Sequence, residues 1–211
     1  MVSGHLNTII EGERDMELQV IGIARDLRTN TPVVYAQLPI ADYLQLVGDK
    51  FEEFSIQRRR EKHKAYQRLK IDIKNGALLP SIALAVKPDK VPSIAPLFNI
   101  YEMLGDDNGV LANSLSTKGQ VDILDGLQRT FIMKDLQKDG HVFVHGQRIL
   151  VEFWLEGDLR KLIYRIIILN AGQKPMSIRY QIELLFNSLK TSIEESIPNA
   201  GNLYRARQYE T

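Results

Sequence analysis

The chain has 211 residues, of which 44% are hydrophobic and 25% charged, the proportions of an ordinary globular protein. Lysine and arginine number 27 against 26 acidic residues, so nucleic-acid binding would have to rest on a local patch. Because there is no cysteine, disulfides and thiol chemistry are excluded. No apolar run is long enough for a membrane span and the N-terminus does not resemble a signal peptide, which predicts a soluble cytoplasmic protein without a membrane partner.

The first elements predicted along the chain are a hairpin and a short helix. Alternating residues 16–20, followed by the apolar run 21–24, predict a strand that becomes buried on both faces. Turn-forming residues separate it from a second strand at residues 33–40, which predicts a hairpin. Residues 41–47 predict a short helix.

A basic amphipathic helix is predicted next. Apolar residues fall on one face at helical spacing: Tyr66, Leu69 and Ile73. Basic residues recur every four positions on another face: Arg60, Lys64 and Arg68. Asn75 and Gly76 predict the end of this helix, with Pro80 just beyond it. Residues 81–86 (SIALAV) then predict a short buried strand.

Residues 87–120 are rich in proline, glycine, aspartate and asparagine and predict the longest irregular segment, with one short helix at residues 97–104. Residues 120–124 (QVDIL) predict a strand. It leads directly into the turn LDGLQR, after which the apolar spacing predicts a helix over residues 127–137.

The last part of the chain predicts a strand at residues 149–155 and two helices. Gly157 and Asp158 are placed to cap the first, which has apolar residues at helical spacing: Leu159, Leu162, Ile163, Ile166 and Ile167. After the interruption LNAGQKPMS, the second is predicted over residues 178–189. This order of strands and helices predicts a single α+β domain with a small mixed sheet flanked by helices. Its expected extent is residues 16–190, between a flexible segment 1–15 and a C-terminal extension or further helical region at 191–211.

The turn LDGLQR concentrates residue types that suit a phosphate group. Gly126 permits a positive φ and close approach by a ligand, and a helix that begins there presents unpaired N–H groups to an anion. Arg129, one turn later, is a candidate for a bidentate contact with the same anion. Asp125 is a candidate for holding magnesium or polarising a water, and Gln128 for orienting that water. The alternative is structural: Asp125 as an N-cap, Gly126 as a turn residue and Arg129 as a solvated side chain.

The stretch ILDGLQRT resembles the DGQQR or DGQHR signature of the ParB/sulfiredoxin-like superfamily, which includes regulators of DNA phosphorothioation and subunits of modification-dependent restriction systems. Three other stretches are similar to that family in the same order: residues 60–86, residues 149–155 and the asparagine-containing residues 168–185. The resemblance thus covers roughly residues 33–189. Leu127 stands where the family carries a glutamine directly after the glycine, which makes nucleotide binding more expected than hydrolysis.

The resemblance implies a domain that binds a nucleoside triphosphate, with magnesium as a second candidate cofactor and with weak hydrolysis at most, and that acts in DNA-associated regulation or defence. The residues expected to bind the nucleotide or its phosphates are Gly126, Gln128, Arg129, Thr130, Arg60, Asn170 and Lys174. Asp125 and Gln128 are the catalytic candidates, and Asp125 is the candidate metal ligand. Expected partners are DNA, a second copy of the chain, or proteins of a modification or restriction system. Sulfiredoxin activity is excluded because it requires a cysteine.

Two further groups of residues have both a functional and a structural interpretation. A concentration of positive charge near the start of the basic helix suits DNA phosphates: Arg58, Arg59, Lys64 and Arg68. The alternative is a solvated helix face. In the loop before the last helix, Lys174 suits a phosphate and Asn170 a ligand or loop contact, whereas the same loop also suits helix caps. For the chain as a whole, the alternative function is a DNA-binding or protein-interaction module in which the LDGLQR turn is structural and no nucleotide is bound.

Overall fold

The computed structural model describes residues 16–49, 64–105 and 109–169, and a mixed β-sheet lies at its centre. The described residues contain five strands: β1 (Gln19–Asp26), β2 (Thr31–Pro39), β3 (Ile82–Val86), β4 (Val121–Asp125) and β5 (Arg148–Trp154). They lie in the order β1-β2-β5-β3-β4, and all neighbours are antiparallel except β3 and β5. Because β3 and β4 are antiparallel, the start of β3 lies beside the end of β4, with Ala83 opposite Asp125.

Six helices flank this sheet within the described residues: α1 (Ile40–Val47), α2 (Lys64–Lys74), α3 (Val91–Leu104), α4 (Val110–Leu115), α5 (Leu127–Lys138) and α6 (Leu159–Leu169). The predicted α+β class is therefore confirmed. Each of these helices is too short or too polar to cross a lipid bilayer.

The hydrophobic core has two parts, one on each face of the sheet. Along β3, Ile82, Leu84 and Val86 join the larger part, which packs against α1, α3, α4 and α5. Ala83 and Ala85 point to the opposite face, because successive side chains of a strand alternate, and they join the smaller part under Leu162 and Ile166 of α6. α5 and α6 therefore lie on opposite sides of the sheet.

Most elements predicted from local patterns are confirmed. The β1–β2 hairpin, α1, β4 and β5 lie within a few residues of their expected positions, and all five residues of β3 are buried. The structure extends the helix predicted over residues 127–137 by one residue, to Lys138. α2 ends where Gly76 takes a φ of +86°, as its position predicted. The helix predicted over residues 178–189 lies outside the described residues.

The prediction that the first strand is buried on both faces is wrong. β1 is an edge strand in which no residue is fully buried, and Ile21 is 51% exposed. Its ladder with β2 is interrupted by a bulge between Val20 and Gly22. Since an edge strand has a neighbour on one side only, the apolar run at residues 21–24 does not reach the centre of the core.

The irregular segment predicted at residues 87–120 contains two helices instead of one short one. α3 starts six residues earlier than expected. Pro92 is compatible with this start because it lies in the first turn, where the backbone N–H groups have no acceptor within the helix. Pro96 lies inside the helix, yet Ile94 and Phe98, one turn apart, are buried against the sheet. Tertiary packing thus outweighs the unfavourable helix propensity of that proline. Residues 141–144, which lead toward β5, join no strand ladder, and Val142 is 81% exposed.

Candidate functional site

The candidate site is the turn that joins β4 to α5. β4 ends at Asp125, and Gly126 takes a left-handed conformation with φ +92° before α5 begins at Leu127. The first helical hydrogen bond runs from the N–H of Thr130 to the carbonyl of Gly126, at 3.0 Å. Gly126 is therefore the N-cap, and the alternative that Asp125 caps the helix is wrong.

Gly126 is required by packing as well as by its φ angle. A Cβ at this position would lie 2.8 Å from Cγ1 of Ile82 and 3.1 Å from Nη2 of Arg129. A residue with a side chain would therefore both strain the backbone and collide with the start of β3. The close approach that this glycine permits is that of protein atoms from β3 and α5.

Arg129 folds back over the turn and uses its guanidinium group within the chain. Nη2 donates to Oδ2 of Asp125 at 2.8 Å, and Nη1 donates to the carbonyl oxygens of Pro80 and Ser81, the latter at 3.1 Å. The Arg129 side chain is only 15% exposed, so the alternative of a solvated arginine is wrong. In the described structure, Arg129 ties the residues before β3 to the first turn of α5.

Thr130 is fully buried and belongs to a second set of contacts beneath the turn. Its hydroxyl donates to the carbonyl of Gly126 at 3.1 Å and lies 2.7 Å from the Tyr43 hydroxyl on α1. Because the single threonine proton goes to Gly126, the Tyr43 hydroxyl donates to Thr130. Burial raises the pKa of Tyr43 well above its ordinary value, which keeps the phenol neutral and able to donate.

The first turn of α5 has features that suit an anion. It has no side-chain cap and no acidic residue. Among the described residues, the backbone N–H groups of Leu127, Gln128 and Arg129 have no acceptor. The Gln128 side chain is exposed and likewise has no hydrogen-bonding partner there. Unpaired N–H groups at the positive end of a helix dipole are the donors that phosphate groups use in proteins.

The contacts continue from the turn across the sheet. The carbonyl oxygen of Ser81 accepts from Arg129. The hydroxyl of the same serine donates to Oε1 of Glu152 at 2.7 Å. Nε1 of Trp154 donates to the other oxygen of Glu152 at 3.4 Å. Neither Ser81 nor Glu152 was predicted to take part in the site. No periodicity or motif in the sequence connects them with Arg129, because the chain brings them together only through strand pairing.

The described residues do not fit the predicted magnesium site. They contain no group of three histidine, aspartate or glutamate side chains placed to hold a metal ion. Asp125, the predicted ligand, is already paired with Arg129. A magnesium ion at this position would have to displace that arginine and would find a single carboxylate.

The other predicted binding residues lie away from this turn or outside the described part of the chain. Arg58, Arg59, Arg60, Asn170 and Lys174 lie outside the described residues. Lys64 is the first residue of α2, and Arg68 is exposed on the same helix.

α2 lies alongside α5 and runs parallel to it. Tyr66 donates to Asp135, and Lys70 lies 2.7 Å from Asp139, so both contacts join residues 69 positions apart. A constant separation of this kind places the two helix axes in the same direction.

Comparison of the chain with protein-family models, with curated proteins and with solved structures finds no match. The resemblance to the ParB/sulfiredoxin-like superfamily therefore stays a prediction that rests on the sequence motifs alone.

Proposed function

We propose that this chain is a nucleotide-binding domain that acts in DNA-associated regulation or defence, with the nucleotide phosphates bound at the start of α5. The observation that supports this proposal is the first turn of α5, where the N-cap is a glycine and no side chain caps the backbone. This turn lacks both a capping side chain and an acidic residue, and it leaves the N–H groups of Leu127, Gln128 and Arg129 without acceptors among the described residues. Phosphate oxygens would accept from these groups, and the exposed amide of Gln128 would add a donor.

The contacts of Asp125 and Arg129 change the roles proposed for them. Both side chains hold the turn in place, because the guanidinium group of Arg129 donates hydrogen bonds to the Asp125 carboxylate and to the carbonyl oxygens of Pro80 and Ser81. The proposal therefore assigns phosphate binding to the backbone of α5 and to Gln128. It includes no step of hydrolysis, since Leu127 is buried where a second amide would be needed.

Thermal unfolding with ATP, GTP and CTP, each with and without magnesium, tests this proposal. A ligand at a hundredfold excess over its Kd should stabilise the chain by about 2.7 kcal/mol. Gln128→Glu places a negative charge on an exposed side chain in the first turn, where the helix dipole stabilises it but a bound phosphate is repelled. We expect this variant to fold and to lose the nucleotide-induced shift.

The matched control is Gln137→Glu, the same change on an exposed residue at the other end of α5. This control should keep the shift, because about 13 Å of helix separates the two positions. Equal shifts in both variants would refute binding at the first turn of α5. The absence of a shift with every nucleotide at millimolar concentration would refute nucleotide binding altogether.

A second candidate function is a DNA-binding or protein-interaction module in which this turn is purely structural. It is favoured by the internal contacts of the motif. Asp125 pairs with Arg129, Gly126 packs against Ile82, and Thr130 is fully buried. DNA binding without any nucleotide-induced shift would favour this candidate over the first.

A further inference from the structure

Strand β1 forms one edge of the sheet, and part of its backbone faces outward. The carbonyl of Pro32 on β2 accepts from the N–H of Leu155 at 3.0 Å, so the backbone of Pro32 points toward β5 and away from β1. Arg25, which lies opposite Pro32, therefore points its own N–H and carbonyl away from β2, toward the open edge. Because this direction alternates along a strand, the N–H and carbonyl of Ile23 point the same way.

The outward groups of β1 are available to another strand. Within residues 16–49, 64–105 and 109–169, the backbone groups of Ile23 and Arg25 that face the edge have no hydrogen-bonding partner. Such an edge pairs readily with an extended chain unless lysine, proline or a bulge blocks it, and β1 (QVIGIARD) contains neither lysine nor proline. Its bulge lies between Val20 and Gly22, which leaves the ladder regular over residues 23–26.

The charged side chains of β1 do not oppose a second strand. Arg25 lies 2.8 Å from Glu102 on α3, and Asp26 pairs with Arg165 on α6. Both charges are thus paired within the chain. A strand that approaches the edge meets no unpaired charge from β1.

Two exposed apolar residues flank the regular part of β1. Ile21, within the bulge, is 51% exposed, and Leu27, directly after the strand, is 89% exposed. When two copies of β1 are placed antiparallel with Ile23 of one opposite Arg25 of the other, Ile21 of each copy comes to lie beside Leu27 of the other. One register therefore pairs the outward backbone groups and also covers the two apolar side chains.

We propose that β1 pairs antiparallel with β1 of a second copy of the chain, about a two-fold axis that passes through Ala24, so that the two sheets become one. A second copy is the assigned occupant because the edge is complementary to itself, as a two-fold interface requires. An interface of one strand per chain is smaller than the roughly 1,200–2,000 Å² of a stable complex, so the dimer forms reversibly at high protein concentration. β1 and β4 lie at opposite edges of the sheet, which makes this interface independent of the proposed nucleotide site.

Sedimentation velocity of the full chain, from micromolar to millimolar concentration, tests the interface. The sedimentation coefficient of the unaltered chain should rise with concentration. Ile21→Lys combined with Leu27→Lys places like charges beside each other at both ends of the paired strands, so this variant should stay monomeric throughout. Its circular dichroism should be unchanged, because both side chains are exposed in the single chain.

The matched control makes the same two changes away from β1. Ile71 on α2 is 59% exposed, and Leu78 in the loop after α2 is 80% exposed. Ile71→Lys combined with Leu78→Lys should therefore associate as the unaltered chain does. Equal association of the two double variants would overturn the proposal, and so would an unaltered chain that is monomeric at every concentration. Neither result bears on nucleotide binding.

A charge swap tests the register. Ile21→Lys combined with Leu27→Glu brings opposite charges together at the same two positions, so it should restore the association that the double lysine variant loses. Association no stronger than that of the double lysine variant would overturn the two-fold register.

A disulfide tests the position of the axis, since the chain has no cysteine of its own. In the proposed dimer the two copies of Ala24 form a non-hydrogen-bonded pair with Cα atoms about 4.5 Å apart, a separation that a disulfide spans. Mild oxidation should convert Ala24→Cys to a covalent dimer and leave Ala77→Cys, at an exposed alanine after α2, mostly monomeric. Equal yields of covalent dimer from the two variants would contradict pairing at Ala24.

Discussion

Arg129 pairs with Asp125 across the start of α5, with Nη2 of the arginine 2.8 Å from Oδ2 of the aspartate. The same guanidinium group also donates to the carbonyl oxygens of Pro80 and Ser81. A single side chain therefore connects the end of β4, the first turn of α5 and the residues that enter β3. These contacts explain why a turn of this length carries both an aspartate and an arginine.

Replacing Arg129 should destabilise the fold. Arg129→Ala removes hydrogen bonds from a charged donor to two carbonyl oxygens and leaves Asp125 without its partner, so we expect the free energy of unfolding to fall by about 2–3 kcal/mol. The measurement is urea denaturation followed by circular dichroism. Arg160→Ala is the control, since Arg160 is 90% exposed and solvent screens its ion pair with Asp158, which should leave stability nearly unchanged. Equal midpoints for the two variants would show that the contacts of Arg129 do not stabilise the fold.

Replacing Gly126 should be more costly than replacing another glycine with positive φ. Gly126→Ala strains a residue at φ +92° and places a Cβ 2.8 Å from Ile82. Gly140→Ala, at φ +82°, meets no atom within 4 Å and should cost only about 1 kcal/mol of backbone strain. We expect Gly126→Ala to lower the free energy of unfolding by at least about 1 kcal/mol more than Gly140→Ala does, as measured by denaturant unfolding.

A double-mutant cycle with Ile82→Ala separates the collision from the strain. If Ile82 is the obstacle, Gly126→Ala should be less costly when Ile82 is already alanine. An unchanged cost would show that backbone strain alone disfavours alanine at this position.

The sequence predicted the positions of the elements around the turn but not the partners of its side chains. Strand β4 and helix α5 follow from alternation and helical spacing within about a dozen residues, so local patterns were sufficient. Besides Asp125, the acceptors of Arg129 lie 48 and 49 positions away and are backbone carbonyls, which every residue carries. No residue type marks such an acceptor, and the arginine was therefore predicted to face a ligand.

The errors in the fold have a similar origin. The composition of β1 does not reveal that it lies at the edge of the sheet, since strand order depends on pairings between distant segments. The prolines of α3 indicate a loop when read locally, whereas the burial of Phe98 stabilises the helix. Propensity fails in both places because tertiary contacts decide the structure.

The hydroxyl pair beneath the turn should show an asymmetric response to mutation. Thr130→Val leaves the buried Tyr43 hydroxyl without an acceptor and removes the bond to Gly126, so it should cost about 1–3 kcal/mol. Tyr43→Phe leaves the bond from Thr130 to Gly126 in place and should cost less, about 0.5–1.5 kcal/mol. The double variant should be more stable than the sum of the two single changes predicts, because the orphaned donor is gone. Additive costs in denaturant unfolding would contradict a direct bond between these hydroxyls.

The pair formed by Asp49 and Lys134 should make stability depend on pH at the acidic end. The hydrogen bond from Lys134 lowers the pKa of Asp49 below its ordinary value of 3.8, and the charges of Lys134, Lys118 and Lys138 lower it further. A carboxyl group whose pKa is lower in the folded state stabilises the fold above its unfolded pKa. This contribution is lost as the pH falls from the ordinary pKa of the carboxyl group through its lowered pKa.

Asp49→Asn removes the titrating group, so the unaltered chain should lose more stability than this variant over that pH range. Thermal unfolding of the two chains at a series of pH values measures the difference. Parallel curves would show that Asp49 does not interact with the lysines in solution.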